Sequence, residues 1–243
     1  MNYIIEIATT DFITTKSAVD GGADRIELCA SLTEGGTTAS FGTIKKCREN
    51  FAVHLFPIIR PRGGDFLYTD EEFDIMKNDV KVCKDVGCDG IVIGLLNKLG
   101  GIDLKRAAKL IENAYPLEVT FHRAFDRCKD PFEAMEQLID IGCQRILTSG
   151  QRPVAPDGAD LIRQLVSIAN ERIIIMPGSG VRKENIKDLA NKTGATEFHS
   201  SLRQKQKSKM EFIHPAFAES AESYINPSIE TEEVKALRNA LNT

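Results

Sequence analysis

The chain lacks the features that would send it across or into a membrane. Its longest apolar run, Ile91 to Leu96, is interrupted by a glycine, whereas a membrane helix needs about 20 apolar residues. The opening "MNYIIEIATTDF" has no basic segment and carries Glu6 inside its apolar stretch, so it does not read as a secretory signal. The six cysteines show no CxxC spacing, and scattered thiols in an untargeted chain read as reduced. Positive charge is also in deficit. A formal net charge of −4 makes nucleic acid and anionic membranes poor partners. A cytoplasmic protein with neither partner is expected.

What is present is a repeat. "GADRIELC" (22–29), "GCDGIVIG" (87–94), "GCQRILTS" (142–149) and "GATEFHSS" (194–201) each set a glycine and a small residue before a strand-like run. The glycine suits a left-handed helix cap, and the small residue suits entry into a buried strand. Four further apolar runs interleave with these, so eight strands are expected to begin near residues 3, 25, 53, 89, 117, 145, 172 and 196. Between them, stretches such as "EEFDIMKNDVKVCKDV" space apolar residues three or four apart, as a helix does. Asp130 followed by Pro131 marks a helix start. Strands alternating with helices imply parallel strands with covered faces, and eight such units predict an α/β fold, a single-domain (β/α)8 barrel over 1–243. A doubly wound open sheet is the alternative, but no GxGxxG follows the first strand. One segment breaks the pattern: a long irregular connection at about 203–229, followed by a closing helix.

Chemistry in such a barrel collects at the C-terminal ends of the strands. Aligning the repeats by their inward positions groups Arg25, Arg145 and Glu197 as an ion-pair network at the opposite end. Glu27, His199, Cys29, Ser149 and Ser201 fall toward the mouth, joined by Glu6, Arg60 and His122 at other strand ends. Glu6, Glu27 and His199 lie on neighbouring strands and can converge. With His122 they are the candidate catalytic groups, for acid–base chemistry or as ligands of a divalent metal. Arginines cluster on the same end, at Arg60, Arg62, Arg123, Arg127, Arg152 and Arg182. Guanidinium forks suit phosphates and carboxylates. Arg60, Arg62, Arg123, Ser149 and the backbone of Gly178 and Gly180 are the expected anion site, with "PGSG" running into a helix near Val181. Salt bridges to Glu34, Asp65 and Asp126 are the competing use of those arginines. Cys29 and Cys128 are the only thiols expected near the mouth, and so the candidate ligands for a soft metal.

Together, "GGADRIELC", "LTEGGTTAS", "RPRGGDFLY", "TFHRAFD", "RILTSG" and "EFHSS" resemble the CutC family of copper homeostasis proteins over about residues 3 to 201. The resemblance implies a (β/α)8 barrel, a cytoplasmic location, a link to copper handling with a copper ion as the bound metal, and self-association into a homo-oligomer. The residues alone point elsewhere. Cuprous ion prefers sulfur ligands, whereas the reconstructed mouth is carboxylate, imidazole and arginine. Three functions stay open: copper homeostasis, an enzyme for a small anionic metabolite, and a binding module whose mouth is closed by salt bridges.

Overall fold

The computed structural model describes residues 3–218 and 224–242. Eight parallel strands appear in chain order: β1 (Ile4–Thr9), β2 (Arg25–Leu28), β3 (His54–Pro57), β4 (Gly90–Ile93), β5 (Glu118–Phe121), β6 (Arg145–Thr148), β7 (Ile174–Pro177) and β8 (Glu197–Ser200). Each is followed by a helix: α1 (Phe12–Asp20), α2 (Phe41–Asn50), α3 (Asp70–Val86), α4 (Leu104–Ala114), α5 (Pro131–Asp140), α6 (Ala159–Ala169), α7 (Ile186–Thr193) and α8 (Thr231–Asn242). The expected strand starts differ from these by no more than two residues.

Local chemistry explains the boundaries. Thr69 and Glu72 form a reciprocal capping box at the start of α3, and Asp130 accepts the Phe132 and Glu133 amides at the start of α5. The four repeat glycines, Gly22, Gly87, Gly142 and Gly194, all have positive φ. That is the conformation in which a chain leaves a helix and turns into a strand without a Cβ penalty. Every residue of β2, β4, β6 and β8 is buried, as strands covered on both faces must be.

β1 pairs in parallel with both β2 and β8, which closes the ring where an open sheet would be unpaired. The ladders run β3-β2-β1-β8 and β4-β5-β6-β7. The two sets meet at an Ile58–Val92 bridge on one side, and β7 packs beside β8 on the other. The lower end is filled as expected. Glu197 accepts from Arg25 at 2.5 Å and from Arg145 at 2.6 Å. The ring of Phe56 stands beside both guanidinium groups, 5.2 Å from one and 5.6 Å from the other. Gly90 is a glycine because its Cβ would fall 2.4 Å from that ring.

Two expectations need correction. The connection after β8 is not irregular throughout: β9 (Gln204–Lys207) and β10 (Ile225–Ser228) pair antiparallel, so part of it is a hairpin arm. Also, "PGSG" does not run into a helix. α7 begins only at Ile186, capped by Asn185, because turn residues intervene.

Candidate active site at the barrel mouth

Glu6, Glu27 and His199 converge as their strands require. His199 Nδ1 lies 2.7 Å from Glu6 Oε1, and His199 Nε2 lies 3.8 Å from Glu27 Oε2. Glu6 is not at a strand end, however. It sits mid-strand in β1, fully buried, with its other oxygen held by Arg25 Nε at 2.5 Å. It thus links the ion-pair floor to the mouth and does not face the cavity itself. Burial pushes its carboxyl up, but Arg25 and His199 outweigh that and hold it at about 2. Glu27 has no such partner, and burial, reinforced by Glu6, raises it to about 7 despite opposition from His199. For His199, burial works against the charged form, but Glu27 and Glu6 prevail and raise it. Two carboxyls one imidazole apart are therefore driven in opposite directions, the pattern that assigns acid and base roles. The three groups are also close enough to share a cation. Because both Glu6 oxygens are engaged, only Glu27 and His199 Nε2 remain as free ligands, fewer than catalytic metal sites use.

Above this triad opens a cavity of about 560 Å³ lined by Glu27, His199, His122 and six arginines: Arg60, Arg123, Arg127, Arg152, Arg182 and Arg203. Among the described residues, Arg127, Arg152, Arg182 and Arg203 pair with no carboxylate. Among the described residues, the Arg182 side chain donates only to Val181 O and Ser200 Oγ, and that of Arg203 to Leu32 O. Arg123 is held by Asp126 at 2.7 Å. Asp126 in turn accepts from Thr148 Oγ and the Ser149 and Gln151 amides, which locks the loop after β5 onto the end of β6.

The anion site anticipated from sequence is only partly assembled. Arg62 turns away from the cavity to Glu72 at 2.5 Å and Asp65 at 2.9 Å. The Ser149 hydroxyl is engaged with Asp126, Arg123 and the Arg152 carbonyl. The Gly178 amide bonds Thr148 O, so it offers nothing to a ligand. Gly180 does line the cavity. Arg203 was missed because the repeat was followed only to "EFHSS". Yet it stands three residues past the end of β8, where the loops after β3 and β6 place Arg60 and Arg152 at similar distances. That spacing was the available signal.

His122 and Arg60 reach the mouth, each almost fully buried. His122 Nδ1 accepts the Ala124 amide at 3.0 Å, and burial, with Arg60 alongside, holds the ring at about 3. At pH 7 the ring is therefore neutral, so it offers one N–H donor and is not an imidazolium acid. Arg60 donates to the carbonyls of Glu34, Gly36 and Gly64, pinning two loops. Phe66, another residue the sequence reading passed over, places its ring 5.0 Å from both the His122 ring and the Arg60 guanidinium.

The thiols do not form the expected metal pair. Cys29 is fully buried with Phe56, Ile58 and Val92, and its thiol donates to Thr9 O. Cys128 belongs to the main core, where its sulfur accepts from Gln151. Neither lines the cavity. Burial pushes both thiols up, Cys128 to about 12, so neither is a ready thiolate. The cause is the alternation itself: Cys29 follows the end of β2 and packs under β3 without reaching the opening.

Fold and site together define a parallel (β/α)8 barrel with an arginine-lined mouth over a carboxylate–imidazole triad. The chain belongs to the CutC family, which it matches over residues 3–204. A family protein CutC from Parabacteroides distasonis is 52% identical over 213 residues, 87% of this chain and 88% of the relative. The human copper homeostasis protein cutC homolog is 43% identical over 216 residues, 89% of this chain and 79% of the relative. A crystal structure of CutC from Streptococcus agalactiae superposes with a TM-score of 0.78 at 32% identity, covering 82% of this chain and 98% of that one. Phosphoribosyl anthranilate isomerase from Thermotoga maritima shares the fold at TM-score 0.60 and 11% identity, covering 99% of this chain and 98% of that one. No helix among the described residues is long and apolar enough to cross a membrane.

Proposed function

We propose that the mouth binds a small anionic metabolite, phosphorylated or carboxylated, and that Glu27 and His199 exchange protons with it. The observation that carries this is the set of arginines that, among the described residues, have no carboxylate partner around a cavity whose wall also holds Glu27 and His199. In a chain of net charge −4, unpaired guanidinium groups concentrated at one opening supply fixed positive charge where an anion would sit. Glu6 fixes the orientation of His199 through Nδ1, leaving Nε2 directed toward Glu27. A carboxyl raised to about 7 can give or take a proton near neutrality, as a general acid or base must.

The names of its relatives support a role in copper homeostasis. The mouth does not fit a cuprous ion, which favours thiolate and thioether, because no thiol lines it. We therefore assign the role in copper homeostasis to chemistry on an anionic metabolite and not to thiol ligation. Inorganic phosphate is expected to raise the melting temperature more than chloride at equal ionic strength, by mass action on the folded state. Equal protection by the two salts would refute the anion site.

A further inference from the structure

Among the described residues, three buried side-chain nitrogen or oxygen atoms have no hydrogen-bond partner, and two of them are His122 Nε2 and Arg60 Nε. Native proteins rarely leave such groups unpaired, and each instance calls for an explanation. The tautomer of His122 follows from its contacts. Nδ1 accepts the Ala124 amide, so the proton of the neutral ring sits on Nε2, which is a donor. Both terminal nitrogens of Arg60 donate to loop carbonyls, whereas its Nε–H donates to nothing. Both side chains line the cavity, and both stand against one face-sharing neighbour, Phe66. That ring belongs to residues 59–69, which carry no helix or strand. Gly94 lets the imidazole lie flat over the end of β4, since a Cβ there would meet Cε1 at 2.1 Å.

We propose that His122 Nε2–H and Arg60 Nε–H form an oxyanion site, uncovered when the substrate turns Phe66 aside, and that the substrate is a carbonyl compound bearing a phosphate or carboxylate. This rests on the anionic-substrate reading above and specifies it. Two preorganised donors in a water-excluded pocket are suited to charge that develops on an oxygen during reaction. Glu27, as carboxylate, takes a proton from the carbon beside the carbonyl. The C–H electron pair becomes a carbon–carbon double bond, and the carbonyl π pair moves to oxygen, where the two N–H groups hold it. Returning a proton to the opposite face of the same carbon inverts it. Where that carbon bears a hydroxyl, passing the O–H proton to the enolate oxygen and the carbon-bound proton to the former carbonyl carbon moves the carbonyl by one position, an isomerisation. No electron donor or acceptor is needed.

The test compares two probes that share a phosphate monoester. Ethyl phosphate has no carbonyl oxygen, and phosphoglycolohydroxamate mimics the enolate. Both are titrated calorimetrically into the intact protein and into His122→Phe and His122→Gln. The hydroxamate is expected to bind the parent about 100-fold more tightly than ethyl phosphate, the usual worth of an oxyanion donor. His122→Phe should lose most of that advantage, and His122→Gln, whose amide nitrogen can donate from nearly the same place, should keep part of it. Retained ethyl phosphate affinity shows that each variant is folded. Equal affinity of the parent for the two probes overturns the oxyanion site and leaves the anion site standing. Failure of both probes to bind overturns both.

Discussion

The imidazole of His122 lies across the backbone of Gly94 so closely that a methyl group there would fall 2.1 Å from Cε1 and 2.3 Å from Nδ1. The glycine is required by its neighbour and not by its own backbone. Gly94→Ala is expected to lower stability to urea by about 1–3 kcal/mol, the usual cost of overpacking. It should also displace the ring from its bond to Ala124. Unchanged stability would mean that His122 is not seated over β4.

Arg62 and Arg152 separate two readings of the arginine-rich loops. Arg62 is neutralised by Glu72 and Asp65 outside the cavity, whereas Arg152 lines it. Arg152→Ala is expected to weaken phosphate binding about tenfold, as losing a charged hydrogen bond does. Arg62→Ala should leave phosphate protection intact. The reverse ranking in a thermal-shift titration would place the anion on the loop after β3.

Stability should depend on pH through the triad, with opposite signs for its two carboxyls. Glu6 is held below its ordinary value, at about 2, so its contribution is present above the unfolded pKa and lost as pH falls from about 4.5 toward 2. Glu27 is raised to about 7. Between those values and neutrality the folded state keeps a proton the unfolded chain has released, so stability falls as pH rises from about 4.5 to 7. Glu27→Gln removes that proton and should flatten the decline, which we expect to be on the order of 2 kcal/mol. Urea unfolding at pH 5, 6 and 7 measures it. An equally steep decline in the variant would mean that Glu27 is ionised in the folded protein.

Direct carriage of copper makes a different demand. A cuprous site favours thiolate or thioether ligands, and Cys29 and Cys128 are buried apart, in separate apolar clusters. The double change Cys29→Ser and Cys128→Ser is expected to leave copper(I) retention unaltered in competition with a chelator under reducing conditions. A loss confined to this variant would restore the two thiols as a metal site.

Much of this architecture was legible in the residues. Glycine and a small residue before each even strand mark the helix-to-strand turn, because a left-handed cap, which glycine adopts without a Cβ penalty, reverses the chain tightly into a buried strand. The strict alternation of strand side chains then grouped Arg25, Arg145 and Glu197 at the floor, where they meet. Glu27 and His199 were grouped at the mouth by the same alternation. Alternation fixes only the direction of a side chain, not its height or its partner. The depth of Glu6 depends on how β1 is staggered against β2 and β8. Whether an arginine faces the cavity depends on which carboxylate its loop brings near: Arg62 finds Glu72 on α3, ten residues along, and Arg203 finds none among the described residues. The sequence by itself therefore determined the barrel, its eight units and the end at which polar groups collect, since these follow from periodicity and turn chemistry. Only the tertiary structure decided which of those groups are neutralised, which are buried and which are left with an unused donor, because ion pairing and desolvation act through distances between residues far apart in the chain.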